Sequence, residues 1–174
     1  MKLYLLRHGE AVERGDPKFE NDADRPLMAK GIQRTKVLAH VLRQMEISFD
    51  LIFSSPLVRA RETAEIVGRR LRLQGRIELT DQLAPTGDME RLVEQLNGVR
   101  PVPKTILLVG HEPYLSSLIS LLCAGGSNLA MTLKKGGLCR LDVEQLRCAR
   151  CASLEWLLPP RVLGPKRASR RQPG

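Results

Sequence analysis

The sequence predicts an α/β protein, a three-layer α/β/α sandwich whose central sheet is mostly parallel with at least one antiparallel strand. Short apolar runs alternate with stretches of 3,4-spaced apolar residues along the chain. That is the pattern of strands feeding helices that cover a parallel sheet on both faces. The 174 residues are enough for one domain with a real core, and 43% hydrophobic content is ordinary for a globular protein. No helical pattern separates the last two strand patterns, so at least one of those strands runs antiparallel.

The elements follow in order. Residues 2–7 read as a strand around Leu3-Tyr4-Leu5-Leu6, and the polar residues 10–27, with Asp16-Pro17 and Arg25-Pro26, read as a loop. Residues 29–45 read as a helix with Leu38, Val41, Leu42 and Met45 on one face. Residues 50–54 form a short apolar strand. Ser55-Pro56 then gives a helix start, a hydroxyl at the N-cap and Pro at the first helical position. That helix continues through Leu57, Ala60, Ala64, Val67 and Leu71. Gly75 breaks the chain before a brief strand at 77–79 and a helix at about 88–96. Residues 105–109 are the clearest buried strand and lead into Gly110-His111. A helix begins near Pro113 with Leu115, Leu118, Ile119 and Leu122 on its face. Residues 124–127 read as a loop, and strands follow at about 137–143 and 153–158.

Composition limits what such a domain can be. Aromatics make up 3% of the chain, so the core is expected to be Leu, Val, Ile and Ala. No apolar run approaches the roughly 18 residues needed to cross a bilayer. The four apolar residues before Arg7 are too few for a signal peptide, so a cytoplasmic protein without membrane contact is expected. Cys148 and Cys151 form a lone C-x-x-C. With Cys123 and Cys139 they make no zinc set, and they read as free thiols in a reducing compartment. Of the net charge of +9, residues 161–174 hold five basic residues and no acid, which leaves +4 on residues 1–160. The composition of this tail predicts disorder. Attraction to nucleic acid or to an acidic protein is open to it, but no nucleic-acid-binding signature accompanies it. The expected division is a domain over 1–160 and a basic tail over 161–174.

The chemistry collects at strand ends. Arg7-His8-Gly9-Glu10 follows the first strand, Arg59 lies in the first turn after Ser54-Ser55-Pro56, and His111 follows the strand at 105–109. Ligands of open α/β sheets bind at the carboxyl ends of strands. Parallel strands therefore bring two Arg and two His to one crevice beside helix N-termini that favour anions. A surface position for Arg59 and a capping or buried structural role for His111 remain open at this point.

These motifs resemble the histidine phosphatase superfamily, the phosphoglycerate-mutase-like fold. Its marks are Arg7-His8-Gly9, the segment Ser55-Pro56-Leu57-Val58-Arg59-Ala60-Arg61-Glu62-Thr63, and the late Gly110-His111. Arg25-Pro26-Leu27 followed by Gly31 also fits. Within the superfamily the chain is most similar to the SixA-type phosphohistidine phosphatases, through Leu83-Ala84-Pro85-Thr86-Gly87-Asp88 and the ending Trp156-Leu157-Leu158-Pro159-Pro160. The likeness covers about residues 1–160.

The resemblance implies a phosphatase acting through a covalent phospho-His8 intermediate. Neutral imidazole suits the nucleophile's role near pH 7. Arg7 and Arg59 would clamp the phosphoryl oxygens in bidentate fashion, and His111 would supply a further donor, or a positive charge if protonated. Two Arg supply the charge, so no cofactor or metal is expected. Larger members use an acid to protonate an alkoxide leaving group. No confident equivalent is found here, and Asp88, Glu112 and Lys134 stand as candidates for that acid or for the rim of the crevice. A missing acid suits an imidazole leaving group. The implied partner is therefore a phosphorylated protein, such as a histidine phosphotransfer domain, with phosphate or another anion in the pocket. A small-molecule phosphomonoesterase and a phosphoprotein-binding adaptor are the alternatives.

Overall fold

The computed structural model describes residues 1–126 and 128–162. Among these residues six strands form one sheet: β1 (Lys2–Arg7), β2 (Leu51–Ser54), β3 (Ile77–Leu79), β4 (Thr105–Gly110), β5 (Leu138–Val143) and β6 (Ala152–Leu158). Their order across the sheet is β3-β2-β4-β1-β5-β6. The four strands β3, β2, β4 and β1 are mutually parallel, whereas β5 runs antiparallel to both β1 and β6.

Among the described residues four helices cover the sheet: α1 (Ala29–Gln44), α2 (Val58–Leu71), α3 (Met89–Gly98) and α4 (Tyr114–Ala124). Alternation along the strands divides the core into two layers. Tyr4, Leu6, Ile52, Leu107 and Val109 pack against Leu38, Ala39 and Leu42 of α1 and Ala60, Ala64 and Val67 of α2. Leu3, Leu5, Phe53, Ile106 and Leu108 pack on the other face, against Leu92, Val93 and Leu96 of α3 and Leu115, Leu118, Ile119 and Leu122 of α4. Full burial of each such aliphatic side chain contributes roughly 1.5–3 kcal/mol, so β1 and β4, apolar on both faces, anchor the sheet.

Two local expectations change. Met45 is half exposed, just past the end of α1, and the buried face of that helix is instead Thr35, Leu38, Ala39 and Leu42 with Gly31. The second helix begins at Val58 rather than at Pro56, and its cap residue Leu57 makes no side-chain cap bond. Ser55 is therefore not an N-cap. Its amide donates to the Val109 carbonyl, which prolongs the β2–β4 pairing by one residue.

The polar stretch 10–27 is held as a loop by an antiparallel bridge between Ala11 and Leu27 and contains one 3-10 turn, Asp22–Asp24. It packs tightly on the start of α1, where a Cβ at Gly31 would lie 2.0 Å from the Glu10 carbonyl oxygen. No helix among the described residues is long and apolar enough to cross a membrane. Of the basic segment 161–174, Arg161 and Val162 finish a 3-10 turn, Pro160–Val162, and residues 163–174 lie outside the described residues.

Candidate active site

The sheet order places β2, β4 and β1 side by side and in parallel, so their carboxyl ends share one edge. Arg7 pairs with Gly110 at the last position of β1 and β4. His8 and His111 each follow by one residue, and their ring centroids lie 5.0 Å apart. Ser54 pairs with Val109 on the other side of β4, and this brings α2 and Arg59 to the same edge. His8, Arg59 and His111 are 6%, 2% and 2% exposed, so each is a core side chain turned to a polar purpose. Arg59 is thus not a surface arginine.

Hydrogen bonding fixes how His8 presents itself. Its Nδ1 lies 2.7 Å from the Gly9 carbonyl oxygen. A carbonyl only accepts, so Nδ1 carries the hydrogen and Nε2 keeps its lone pair. Burial, then the nearby His111, Arg59 and Arg7, outweigh that carbonyl and push the His8 pKa down to about 3. The Gly9 amide donates to Thr63 Oγ1 at 3.1 Å, and the Thr63 hydroxyl donates to the Arg59 carbonyl at 2.7 Å, so the end of β1 is stitched to α2.

The guanidinium groups are partly engaged. Arg59 Nη1 donates to the Asp22 carbonyl at 2.7 Å and Nη2 to Asp22 Oδ2 at 2.9 Å. Arg7 Nη1 donates to the Leu133 carbonyl at 2.8 Å. Arg7 Nε, Arg59 Nε and His111 Nδ1 are buried and have no partner among the described residues. A buried unpartnered N–H is costly, about 1–3 kcal/mol, more when charged. Two such guanidinium N–H groups at one strand edge, with His111 Nδ1 beside them, define a site suited to an oxyanion, for which side-on guanidinium contact is the strong geometry.

Asp22 belongs to this site and was missed in the sequence. Its carboxylate also accepts from Arg25 Nη2 at 2.7 Å and Arg14 Nε at 3.1 Å. Burial raises its pKa, but the hydrogen bond from Arg25 and the charges of Arg59 and Arg25 hold it below the ordinary carboxylate range. The only signal near it was Arg25-Pro26-Leu27, three residues on.

The three candidate acid or rim residues fall in different places. Asp88 caps α3, its Oδ1 accepting from the Glu90 and Arg91 amides at 2.8 and 3.1 Å. Glu112 accepts from the Leu133 amide at 2.6 Å and from the Ser116 hydroxyl at 2.5 Å. Lys134 and Lys135 are exposed on a turn completed by Gly136 at φ 73°, whose amide donates to the Arg7 and His8 carbonyls. That turn, and with it Lys134, borders the Arg7-His8 main chain.

Glu112 therefore fixes the segment whose Leu133 carbonyl orients Arg7. Glu112→Ala leaves the buried Leu133 amide without its acceptor, with an expected loss of about 1–3 kcal/mol. Urea unfolding checks this; an unchanged midpoint would show that the contact contributes nothing.

The histidines also couple stability to pH. Burial, then Arg59 and other nearby guanidiniums, push His111 down to about 3 as well. Unfolded histidines take up protons below about pH 6.5, whereas the folded pair stays neutral to about pH 3. The unfolded chain binds more protons throughout that window. Stability should therefore fall as pH drops from about 6.5 toward 3, by up to ~1.4 kcal/mol per unit for each histidine. Melting temperatures from pH 7 to 4 should decline less steeply in His8→Ala than in the wild type; equal slopes would contradict the assignment.

The model of the histidine phosphatase superfamily (branch 1) matches residues 3–97. The chain belongs to that superfamily, and membership supports a phosphatase. It is 35% identical over 168 residues to an uncharacterized protein of a Picosynechococcus strain, covering 91% of this chain and 100% of that one. It is 28% identical over 126 residues to the phosphohistidine phosphatase SixA of Escherichia coli K12, covering 72% of this chain and 76% of that one. The solved structure of the protein histidine phosphatase SixA complexed with tungstate superposes with a TM-score of 0.80 at 23% identity, covering 94% of this chain and 100% of that one. That superposition bears on the fold, which is the phosphoglycerate-mutase-like one.

Proposed function

We propose that the chain hydrolyses phosphohistidine in a protein, through a covalent phospho-His8 intermediate formed by residues 1–160. The observation that carries this reading is the buried His8 imidazole, its Nδ1 committed to the Gly9 carbonyl, set 5.0 Å from His111 beside two partly unpartnered arginines. His8 Nε2 attacks phosphorus and the bond from phosphorus to the leaving nitrogen breaks. Water then attacks the phosphoryl group on His8, releasing inorganic phosphate and the free imidazole. Arg7 and Arg59 hold the equatorial oxygens, where transition-state charge spreads, and His111 donates to one of them.

The carboxylates support an imidazole leaving group. Asp22 is ionised against guanidiniums, Glu112 accepts two hydrogen bonds, and Asp88 caps a helix. Each is committed to contacts within the fold, and none of these contacts calls for a carboxylic proton. A phosphohistidine ring protonated on its far nitrogen leaves as neutral imidazole and needs no such acid, whereas a sugar alkoxide does. The likeness to the E. coli phosphohistidine phosphatase supports the same substrate class. The exposed Arg14, Lys134 and Lys135 suit an acidic phosphorylated protein, such as a histidine phosphotransfer domain. All four cysteines are unpaired, which fits a cytoplasmic setting.

The test compares a histidine-phosphorylated phosphotransfer domain with sugar phosphates. The expected kcat/KM is at least about 100-fold higher for the phosphoprotein, a ratio within reach of differential transition-state binding. Faster hydrolysis of sugar phosphates would give the small-molecule reading, and tight binding without turnover would give the adaptor.

A further inference from the structure

Ser55 has no assigned part in this site, yet it touches His111. Its hydroxyl oxygen lies 2.8 Å from His111 Nε2, and both groups are buried. The oxygen also accepts, at 3.3 Å, from the Leu57 amide. Ser55 is held from behind as well, its amide donating to the Val109 carbonyl at 2.9 Å, so the hydroxyl is fixed between the ends of β2 and β4.

The direction of the Ser55–His111 hydrogen bond follows from an inventory of hydrogens. Ser55 has one O–H hydrogen and is 0% exposed, so that hydrogen needs an acceptor within the protein. Among the described residues, Ser55 Oγ makes only the contacts to Leu57 N and His111 Nε2. The first is an amide that can only donate. If Nε2 also donated, the hydroxyl hydrogen would be buried with no acceptor, at a cost of about 1–3 kcal/mol. If Nε2 accepts, every atom of the contact is satisfied, and the single hydrogen of a neutral imidazole resides on Nδ1. His111 Nδ1 is the ring nitrogen that is buried without a partner.

We propose that Ser55 is a positioning residue that fixes His111 in the Nδ1–H tautomer, so that this histidine meets an oxyanion as a donor and not with a lone pair. The proposal rests on the reading of the strand edge as a phosphoryl site, but the tautomer is measurable without turnover. It also gives the serine of the Ser55-Pro56 segment a task other than starting a helix. A lone pair at Nδ1 would repel a phosphoryl oxygen, whereas an N–H there offers a neutral donor that needs no proton uptake.

The experiment is nitrogen NMR on full-length protein labelled in its histidines, with the three residues told apart by His8→Ala and His40→Ala. In the wild type, His111 should show a protonated Nδ1 and an unprotonated Nε2, and the Nδ1–H signal should shift on titration with inorganic phosphate. Ser55→Ala should lose the tautomer preference and bind inorganic phosphate about tenfold more weakly, the size of one hydrogen bond near 1.4 kcal/mol. Ser55→Thr, which keeps the hydroxyl, should restore both. A wild-type His111 protonated on Nε2 would overturn the proposal without recourse to any variant. So would a folded Ser55→Ala with unchanged phosphate affinity. If the tautomer and affinity behave as expected but phosphohistidine is not hydrolysed, the substrate assignment fails and the role of Ser55 stands.

Discussion

His8→Ala is expected to lower turnover of a phosphohistidine protein by on the order of 10⁴-fold or more, the scale seen when a covalent nucleophile is removed. The protein should still fold, because His8 makes one side-chain hydrogen bond, to the adjacent Gly9 carbonyl. It should also still bind inorganic phosphate, since the guanidinium nitrogens of Arg7 and Arg59 and His111 Nδ1 remain in place. This pairing of lost turnover with retained binding separates a nucleophile from a binding residue. Neighbouring groups do not substitute for it. His111 Nε2 is occupied by Ser55, and the hydroxyls of Ser54 and Thr63 donate to the Ser55 and Arg59 carbonyls. Because His8 is held neutral to about pH 3, the acid limb of kcat/KM for the free enzyme should lie well below 6.5 once the substrate's own ionisation is allowed for. A limb near 6.5 would mean that the imidazole is solvated during catalysis.

Arg59→Lys is expected to reduce kcat/KM by about 10²–10³-fold, the range for losing one donor aimed at transition-state charge in a water-poor site. Charge is conserved in this substitution, but the planar fork is lost. The fork of Arg59 has two jobs: its Nη atoms hold Asp22, and its Nε is buried without a partner. An ammonium group cannot do both. Phosphate affinity should fall with kcat/KM, in contrast to His8→Ala. Loss of the bond to the Asp22 carbonyl should also lower stability by about 1 kcal/mol, the typical net value for a hydrogen bond. Steady-state kinetics with phosphate as competitor tests the first part and thermal unfolding the second. Wild-type kinetics in Arg59→Lys would mean that Arg59 serves only to anchor the Asp22 loop.

Much of this was legible in the sequence for a simple reason. Apolar runs mark strands, and parallel strands put their carboxyl ends together, so the sequence alone places Arg7, His8, Arg59 and His111 at one edge. The antiparallel pair β5 and β6 followed from the missing helix between them. What could not be read is what depends on side-chain direction across long sequence separations. Asp22 reaches Arg59 across 37 positions from a loop with no periodicity, and the Leu133 carbonyl reaches Arg7 across 126. Ser-Pro carries the local signature of a helix start, which predicts a cap at Ser55. The extension of the β2–β4 pairing turned its hydroxyl to His111 instead, a case of tertiary pairing overriding local preference. Spacing alone puts Met45 on the buried face, but the helix ends one residue earlier and releases it.

The most direct test of the account is rapid quenching of the enzyme during turnover of a histidine-phosphorylated protein, with the site of phosphorylation mapped on this chain. A nitrogen–phosphorus bond is labile in acid and stable in alkali, so the quench is kept basic. A transient phosphoryl group is expected on His8 Nε2, absent from His8→Ala and discharged by water to inorganic phosphate. Steady turnover with no phosphorylated enzyme, or with the phosphoryl group on any residue other than His8, would contradict it.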